Sequence, residues 1–286
     1  MPIQWYPGHM AKAKKALAEA MPRQDVVIEV LDARAPRASE NPVVTEIRAH
    51  KPCVKVLAKS DLADPDVTRA WLAHFESEGE GGGEGGGKVL AMAATTQRGS
   101  ETKQRVLALC RRLVPRVAEA DPTRRAAHVL ITGVPNVGKS TLINTLAGRR
   151  VAKVGDEPAV TKAAQQVVLD GGIILSDNPG ILWAKLEDQE AAYRLALAGA
   201  LPDTAMDFEI VAHFGAELFL RRYPAMLLAR YSLKTLPAGP NELLAEIGKR
   251  RGCIRAGGVI DLHKAADHLI HDFRDGVLGR ISLEEP

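Results

Sequence analysis

Aromatic residues are scarce in this chain. Phe, Trp and Tyr make up 4% of the 286 residues, so Leu, Val, Ile and Ala must fill any core. An apolar content of 46% is enough for that. Cysteine is scarcer still. Cys53, Cys110 and Cys253 are odd in number and far apart, with no Cys-x-x-Cys pair. That spacing indicates neither a disulfide framework nor a thiolate zinc site, and it suits a reducing cytoplasm. No apolar run approaches the ~18–20 residues of a membrane span. The opening MPIQWYPGHMAKAKK lacks the apolar centre of a signal peptide. A strong excess of one charge is missing too. The net charge of +3 permits contact with nucleic acid without requiring it.

What the chain does have is alternation of strand and helix. The β-branched runs at 25–34, 53–59, 88–94 and 128–132 read as buried strands. Helical stretches are predicted at about 9–21, 42–50, 66–77 and 101–114. QQVVLDGGIILSD (165–177) reads as a hairpin turned on Gly171 and Gly172. This pattern predicts an α/β fold with a mostly parallel sheet covered on both faces. The glycine-rich 78–88 cannot bury a core and is expected to be a flexible surface excursion. From 203 onward strand-like runs vanish, and 207–222, 241–250 and 261–274 read as helices. The predicted division is an α/β domain over 1–202 and an all-helical domain over 203–286.

The segment GVPNVGKST (133–141) joins the strand HVLIT to the helix STLINTLAG. It is a G-x-x-x-x-G-K-S phosphate loop in strand–turn–helix context. Its backbone N–H groups, with the positive end of the following helix, can wrap a β-phosphate. Pro135, Asn136, Val137, Gly138, Lys139, Ser140 and Thr141 are the candidate nucleotide contacts. Lys139 reaches the β- and γ-phosphates, and the Ser140 hydroxyl can ligate Mg²⁺. Downstream, SDNPG (176–180) places Asp177 at a strand end as a metal-side carboxylate, with the Gly180 N–H aimed at the γ-phosphate. Between them, Thr161 in EPAVTK is the candidate for a second hydroxyl on Mg²⁺.

The loop alone does not choose between ATP and GTP. GTPases read guanine with Asn-Lys-x-Asp at a strand end, where the Asp carboxylate accepts from N1–H and the 2-amino group. No such tetrapeptide follows Asp177. Before the loop, however, LAKSDLAD (57–64) follows a strand and supplies Ala58, Lys59, Ser60 and Asp61. Later, AMAATTQRG (91–99) offers Ala94 and Thr95 as the base-supporting contacts. The order is base-reading element, base-supporting element, phosphate loop, switch Thr, Asp-x-x-Gly. That is a circular permutation of the usual GTPase order. It costs little, because each strand keeps its ligand-binding loop wherever the chain is cut.

Taken together these motifs resemble the circularly permuted ribosome-assembly GTPases, and within them the ribosome biogenesis GTPase A (YlqF) group. IQWYPGHMAKAKK (3–15), DARAPRASENP (32–42), GVPNVGKSTLIN (133–144), DNPGILW (177–183) and the segment 251–284 carry the resemblance across nearly the whole chain. It implies binding of GTP and GDP with Mg²⁺, and GTP hydrolysis coupled to late assembly of the large ribosomal subunit. The implied partners are the precursor of that subunit and its rRNA, met by the helical C-terminal domain. Ala58 departs from the usual Asn. Losing its amide costs ~1–3 kcal/mol if partners are left unpaired, so weaker nucleotide binding with guanine choice retained is expected. Ile181 stands where many GTPases carry a water-orienting Gln. The resemblance suggests His9 as the catalytic substitute, against packing or capping of the N-terminal helix. It likewise suggests Asn136 as a K⁺ ligand, against a plain loop residue. Lys249, Arg250, Arg251 and Arg255, a run without an acid, are the candidate RNA contacts. Two other readings stay open on sequence: an RNA-binding assembly scaffold with a degenerate or sensory nucleotide site, and a P-loop ATPase or kinase of metabolism.

Overall fold

Among the described residues, six aliphatic runs form one sheet: β1 (Val26–Asp32), β2 (Cys53–Ala58), β3 (Val89–Ala93), β4 (Ala127–Gly133), β5 (Gln166–Leu169) and β6 (Ile173–Asp177). Their order across the sheet is β3-β2-β1-β4-β6-β5. Every neighbouring pair is parallel except the β5–β6 hairpin. That hairpin turns on Gly171 and Gly172, at φ 78° and 73°. Two successive positive φ angles are what a tight hairpin of matching twist requires, and glycine meets them without strain. The structure, a computed structural model, describes residues 8–80, 87–114, 126–152, 166–178, 180, 182 and 188–286, with backbone alone at 8–10 and 79–80.

The helices are α1 (Gly8–Ala20), α2 (Pro36–Ser39), α3 (Pro42–Arg48), α4 (Pro65–Glu80), α5 (Gly99–Leu113), α6 (Lys139–Ala147), α7 (Gln189–Ala198), α8 (Phe208–Arg222), α9 (Pro224–Tyr231), α10 (Pro240–Arg251) and α11 (Leu262–Arg274). Side-chain caps start several of them. Asn41 accepts from Val43 N, Asp188 from Glu190 N and Ala191 N, and Asp207 from Glu209 N and Ile210 N. Each satisfies an N–H that the first helical turn leaves without a partner.

One expectation needs correction. The glycine-rich segment does not begin as a loose excursion: α4 continues through residues 78–80, which carry on the helix that Pro65 opens. Residues 81–86 lie outside those described. Sequence reading also missed α7, whose Ala-rich run QEAAYRLALA packs against α8.

Burial follows the two-residue period of the strands. Val26, Ile28 and Val30 of β1 join one core with Val54, Val56, Val129 and Ile131. Val27 faces the other way, toward Leu17 of α1, and Leu31 toward Trp71 and Phe75 of α4. The C-terminal helices extend the first core. Phe219 and Phe273 lie against each other with ring centroids 5.4 Å apart, and join Leu195, Leu197 and Ala212 in that same buried cluster. The carboxyl ends of β1, β2, β3, β4 and β6 are thereby held on a rigid platform.

Candidate functional site

The functional loops meet where the parallel strands end, the position at which open α/β sheets receive ligands. At the end of β4 the chain turns through Gly133 (φ 157°), Asn136 (φ 56°) and Gly138 (φ 105°) into α6. Glycine is needed at 133: a Cβ there would lie 2.6 Å from the Val30 carbonyl oxygen. Lys139, the first residue of α6, places Nζ 2.8 Å from Asp177 Oδ1 at the end of β6, and both side chains are buried. Gly180 lies against the same loop, where a Cβ would sit 3.1 Å from Pro135 Cα. Asn136 donates from Nδ2 to the Gly199 carbonyl at 3.0 Å, tying the phosphate loop to the end of α7.

The loops that the sequence marks as candidates for reading and supporting a base, at 58–61 and 94–95, adjoin this one. Ser60 donates from both its backbone N–H (3.1 Å) and its hydroxyl (3.0 Å) to the Ala94 carbonyl. Lys59, Asp61, Ala94, Thr95, Gly138 and Thr141 line a common cavity of about 220 Å³. A Cβ built on Gly138 would lie 3.5 Å from the Ala58 Cβ. Residue 58 therefore touches the phosphate loop, and alanine offers it no polar group. Val137 is buried beneath the loop, and Ser140 is half-buried at its helical end.

Sequence reading gave no role to the buried pair just behind the base-reading loop. Arg34 grips Asp32 through Nε and Nη2, both at 2.9 Å, and donates to the Ala198 carbonyl at 3.0 Å. Lys59 Nζ reaches Asp32 Oδ2 at 3.0 Å. Burial alone would raise the Asp32 pKa, yet the Arg34 guanidinium, then Lys59, hold it well below the usual carboxylate range. The ionised Asp32 thus anchors Lys59, whose backbone stands at a left-handed φ of 57°. The available signal was an Asp-x-Arg ending a β-branched strand.

The residues present fit a nucleoside triphosphate with its magnesium. Glycine at 133 and 138 leaves the backbone open, and the Ser140 hydroxyl and Asp177 carboxylate are the hard oxygen donors that Mg²⁺ prefers. Among the described residues no three His, Cys, Asp or Glu gather into a metal-holding cluster. Thr161 and Ile181 lie outside the described residues. His9 falls within α1, but its side chain is not among those described.

Away from the cleft, the basic run at the end of α10 is less bare than the sequence suggests. Lys249 and Arg250 pair with Glu246, Arg251 with Asp272, and Arg255 with Asp261. The Arg255 contact leads the causes that hold Asp261 down to about 2. No helix among the described residues is long and apolar enough to cross a membrane.

Comparison with known proteins agrees with this geometry. The model of the 50S ribosome-binding GTPase family matches residues 128–206. Ribosome biogenesis GTPase A of Bacillus cereus is 41% identical over 290 residues, covering 100% of this chain and 95% of its own. The chain belongs to the ribosome biogenesis GTPase A family. A more distant member, from Thermotoga maritima, is 32% identical over 284 residues, covering 99% of this chain and 95% of its own. The crystal structure of GNP-bound YlqF from T. maritima matches with a TM-score of 0.64 at 27% identity, covering 96% of this chain and 98% of that one. The permuted motif order is thus a property of the family, and the nucleotide is a guanine nucleotide, which GTPases take with Mg²⁺.

Proposed function

We propose that this chain is a GTP-binding and GTP-hydrolysing factor for late assembly of the large ribosomal subunit, acting in the cytoplasm on the subunit precursor and its rRNA. The observation that carries the reading is the shared cleft: Asp61, Ala94 and Thr95 adjoin Gly138 and Thr141 of the phosphate loop, in a chain of this family. Asp61 accepts from the guanine N1–H and 2-amino group, while Lys59 lies along the base. Backbone N–H groups from Pro135 to Thr141 hold the β-phosphate, and Lys139 leaves Asp177 to meet the β- and γ-phosphates. Mg²⁺, held through Ser140, Thr161 and Asp177, offsets charge on the phosphates when bound. Asn136, whose Nδ2 is held by the Gly199 carbonyl, is the proposed ligand for K⁺, which would add positive charge beside the phosphates. Gly180 N–H meets the γ-phosphate.

Ile181 cannot orient water, so turnover by the free protein is slow. His9, on α1, is the proposed replacement, brought to the nucleotide when RNA engages Lys12, Lys14 and Lys15 of the same helix. Residues 203–286 form the proposed RNA-facing unit, with Lys249, Arg250, Arg251 and Arg255 on phosphates. The test is GTP turnover with and without large ribosomal subunits, beside titrations with GDP, GTP and ATP. Low basal turnover, stimulation by subunits and preference for guanine nucleotides are expected, and His9→Ala should lose the stimulation while keeping GTP affinity. Preference for ATP, or turnover indifferent to subunits, overturns the reading.

A further inference from the structure

The segment after α11 doubles back to the rim of the cleft. Gly276, at φ 73°, comes so near Leu62 that a Cβ would lie 2.5 Å from its Cδ2. Ile281 N donates to the Leu62 carbonyl at 3.0 Å. Ser282 Oγ accepts from Asp64 N at 3.2 Å. Between these contacts Arg280 spreads over the turn that bears Asp61. Its Nε donates to the Ala63 carbonyl at 2.9 Å and its Nη2 to the Ser60 carbonyl at 3.0 Å. A guanidinium is the group suited to this, because its planar fork reaches two acceptors at fixed separation.

The Ser60 carbonyl belongs to the peptide that leads into Asp61 and the Ala63 carbonyl lies beyond it, so holding both limits the rotation of the backbone from which the Asp61 side chain leaves. The turn needs outside support. It opens with Lys59 in the left-handed region, which a non-glycine residue adopts at a cost unless its surroundings hold it. Ala58 offers no side-chain hydrogen bond to the phosphate loop it touches. Ser60 is held to Ala94 on one side, and Arg280 holds the other. Arg280 also lines, with Ser60 and Asp61, a cavity of about 490 Å³ beside the base cleft.

We propose that Arg280 is a positioning residue for guanine selection, bracing the Ser60–Ala63 turn from the C-terminal tail so that the Asp61 carboxylate faces the base edge. The proposal rests on the assignment of Asp61 as the base reader, so the experiment separates the two. Affinities of the full chain for GDP and for inosine diphosphate, which lacks the 2-amino group, are measured by titration calorimetry. The parent, Arg280→Ala, Arg280→Lys and Asp61→Asn are compared. The parent should prefer GDP by about tenfold or more, the worth of one hydrogen bond to a charged group. In Arg280→Ala that preference should shrink to about twofold, mainly through loss of GDP affinity, with Arg280→Lys in between. Arg280 is exposed, so its replacement leaves the core intact. A purely structural role would weaken both nucleotides by one factor, and an unchanged ratio in Arg280→Ala overturns the proposal. Asp61→Asn should move preference toward xanthosine diphosphate. If it does while Arg280→Ala keeps the parent ratio, the role of Arg280 alone falls. Should Asp61→Asn change nothing, or the parent bind both diphosphates equally, the base-reader assignment falls and takes Arg280 with it.

Discussion

Removal of the Lys139 ammonium should damage stability and nucleotide binding separately, and the two can be told apart. Lys139 and Asp177 lie 2.8 Å apart, with side chains 8% and 3% exposed. Breaking a buried pair from one side strands the other charge, at a cost of about 3–5 kcal/mol. The neighbouring Ser140 and Thr141 are half-buried, so water can approach, and the lower end, about 3 kcal/mol, is expected. For a chain of this size, with an unfolding entropy of about 0.6 kcal/mol/K, that corresponds to a fall in Tm of roughly 5 °C without nucleotide. Loss of a charged contact to phosphate should also weaken GDP and GTP binding by roughly 10- to 150-fold.

The double variant Lys139→Ala/Asp177→Asn distinguishes these effects. It removes the stranded charge, so most of the lost Tm should return while nucleotide affinity stays low. Thermal denaturation without nucleotide and titration with a fluorescent GDP analogue read the two quantities. A Tm in the double variant no higher than in Lys139→Ala would show that the cost is not a stranded Asp177. Parent affinity in Lys139→Ala would show that Lys139 does not meet the phosphates.

Ala58→Asn should tighten GDP binding by about two- to tenfold through one restored hydrogen bond; weaker binding in the same titration would mean that the loop has no room for the amide. Neutralising Lys249, Arg250 and Arg251 together with Gln should weaken binding to subunit precursors and lower the slope of log affinity against log salt by about one to two. The reduction is less than three full charges because Glu246 and Asp272 already share them, and an unaltered slope would exclude this face. Glu29 predicts a pH effect. Burial, then the nearby Glu40 charge, raises its pKa to about 7, although Lys55, the Asn41 N–H and Arg48 oppose the rise. From its ordinary value of 4.5 up to that point the folded state holds a proton that the unfolded chain has released, so this group makes stability fall as pH rises through the window. Glu29→Gln keeps an acceptor for Asn41 and should flatten the Tm difference between about pH 5 and pH 7; an unchanged slope would assign it to other groups.

The parts of the molecule legible in sequence are those whose cause is local. A strand running into GVPNVGKST declares its strand–turn–helix geometry, because the glycines at 133 and 138 take the backbone angles that the turn requires. Gly171 and Gly172 announce the hairpin for the same reason. That Lys59 and Asp61 fall at the carboxyl end of β2, beside the phosphate loop, was legible because their spacing from the strand is set by a few bonds. The helix α7 was not, since an Ala-rich run has little polar face to mark its period. Its burial depends on α8, which arrives later in the chain. The basic run 249–255 looked free of acid within its own window, and only folding brings Asp261 and Asp272 to it. Arg34 is the extreme case. Its partners are Asp32, two positions away, and Ala198, on a helix formed after the phosphate loop. A charged side chain is buried there at 1% exposure because these contacts, with the Arg274 carbonyl and the Phe273 ring, gather around it and compensate its desolvation. The strand end could suggest a charge pair, but not that the pair would hold the Lys59 ammonium while fastening β1 to α7. That role is a consequence of closure between distant parts of the chain.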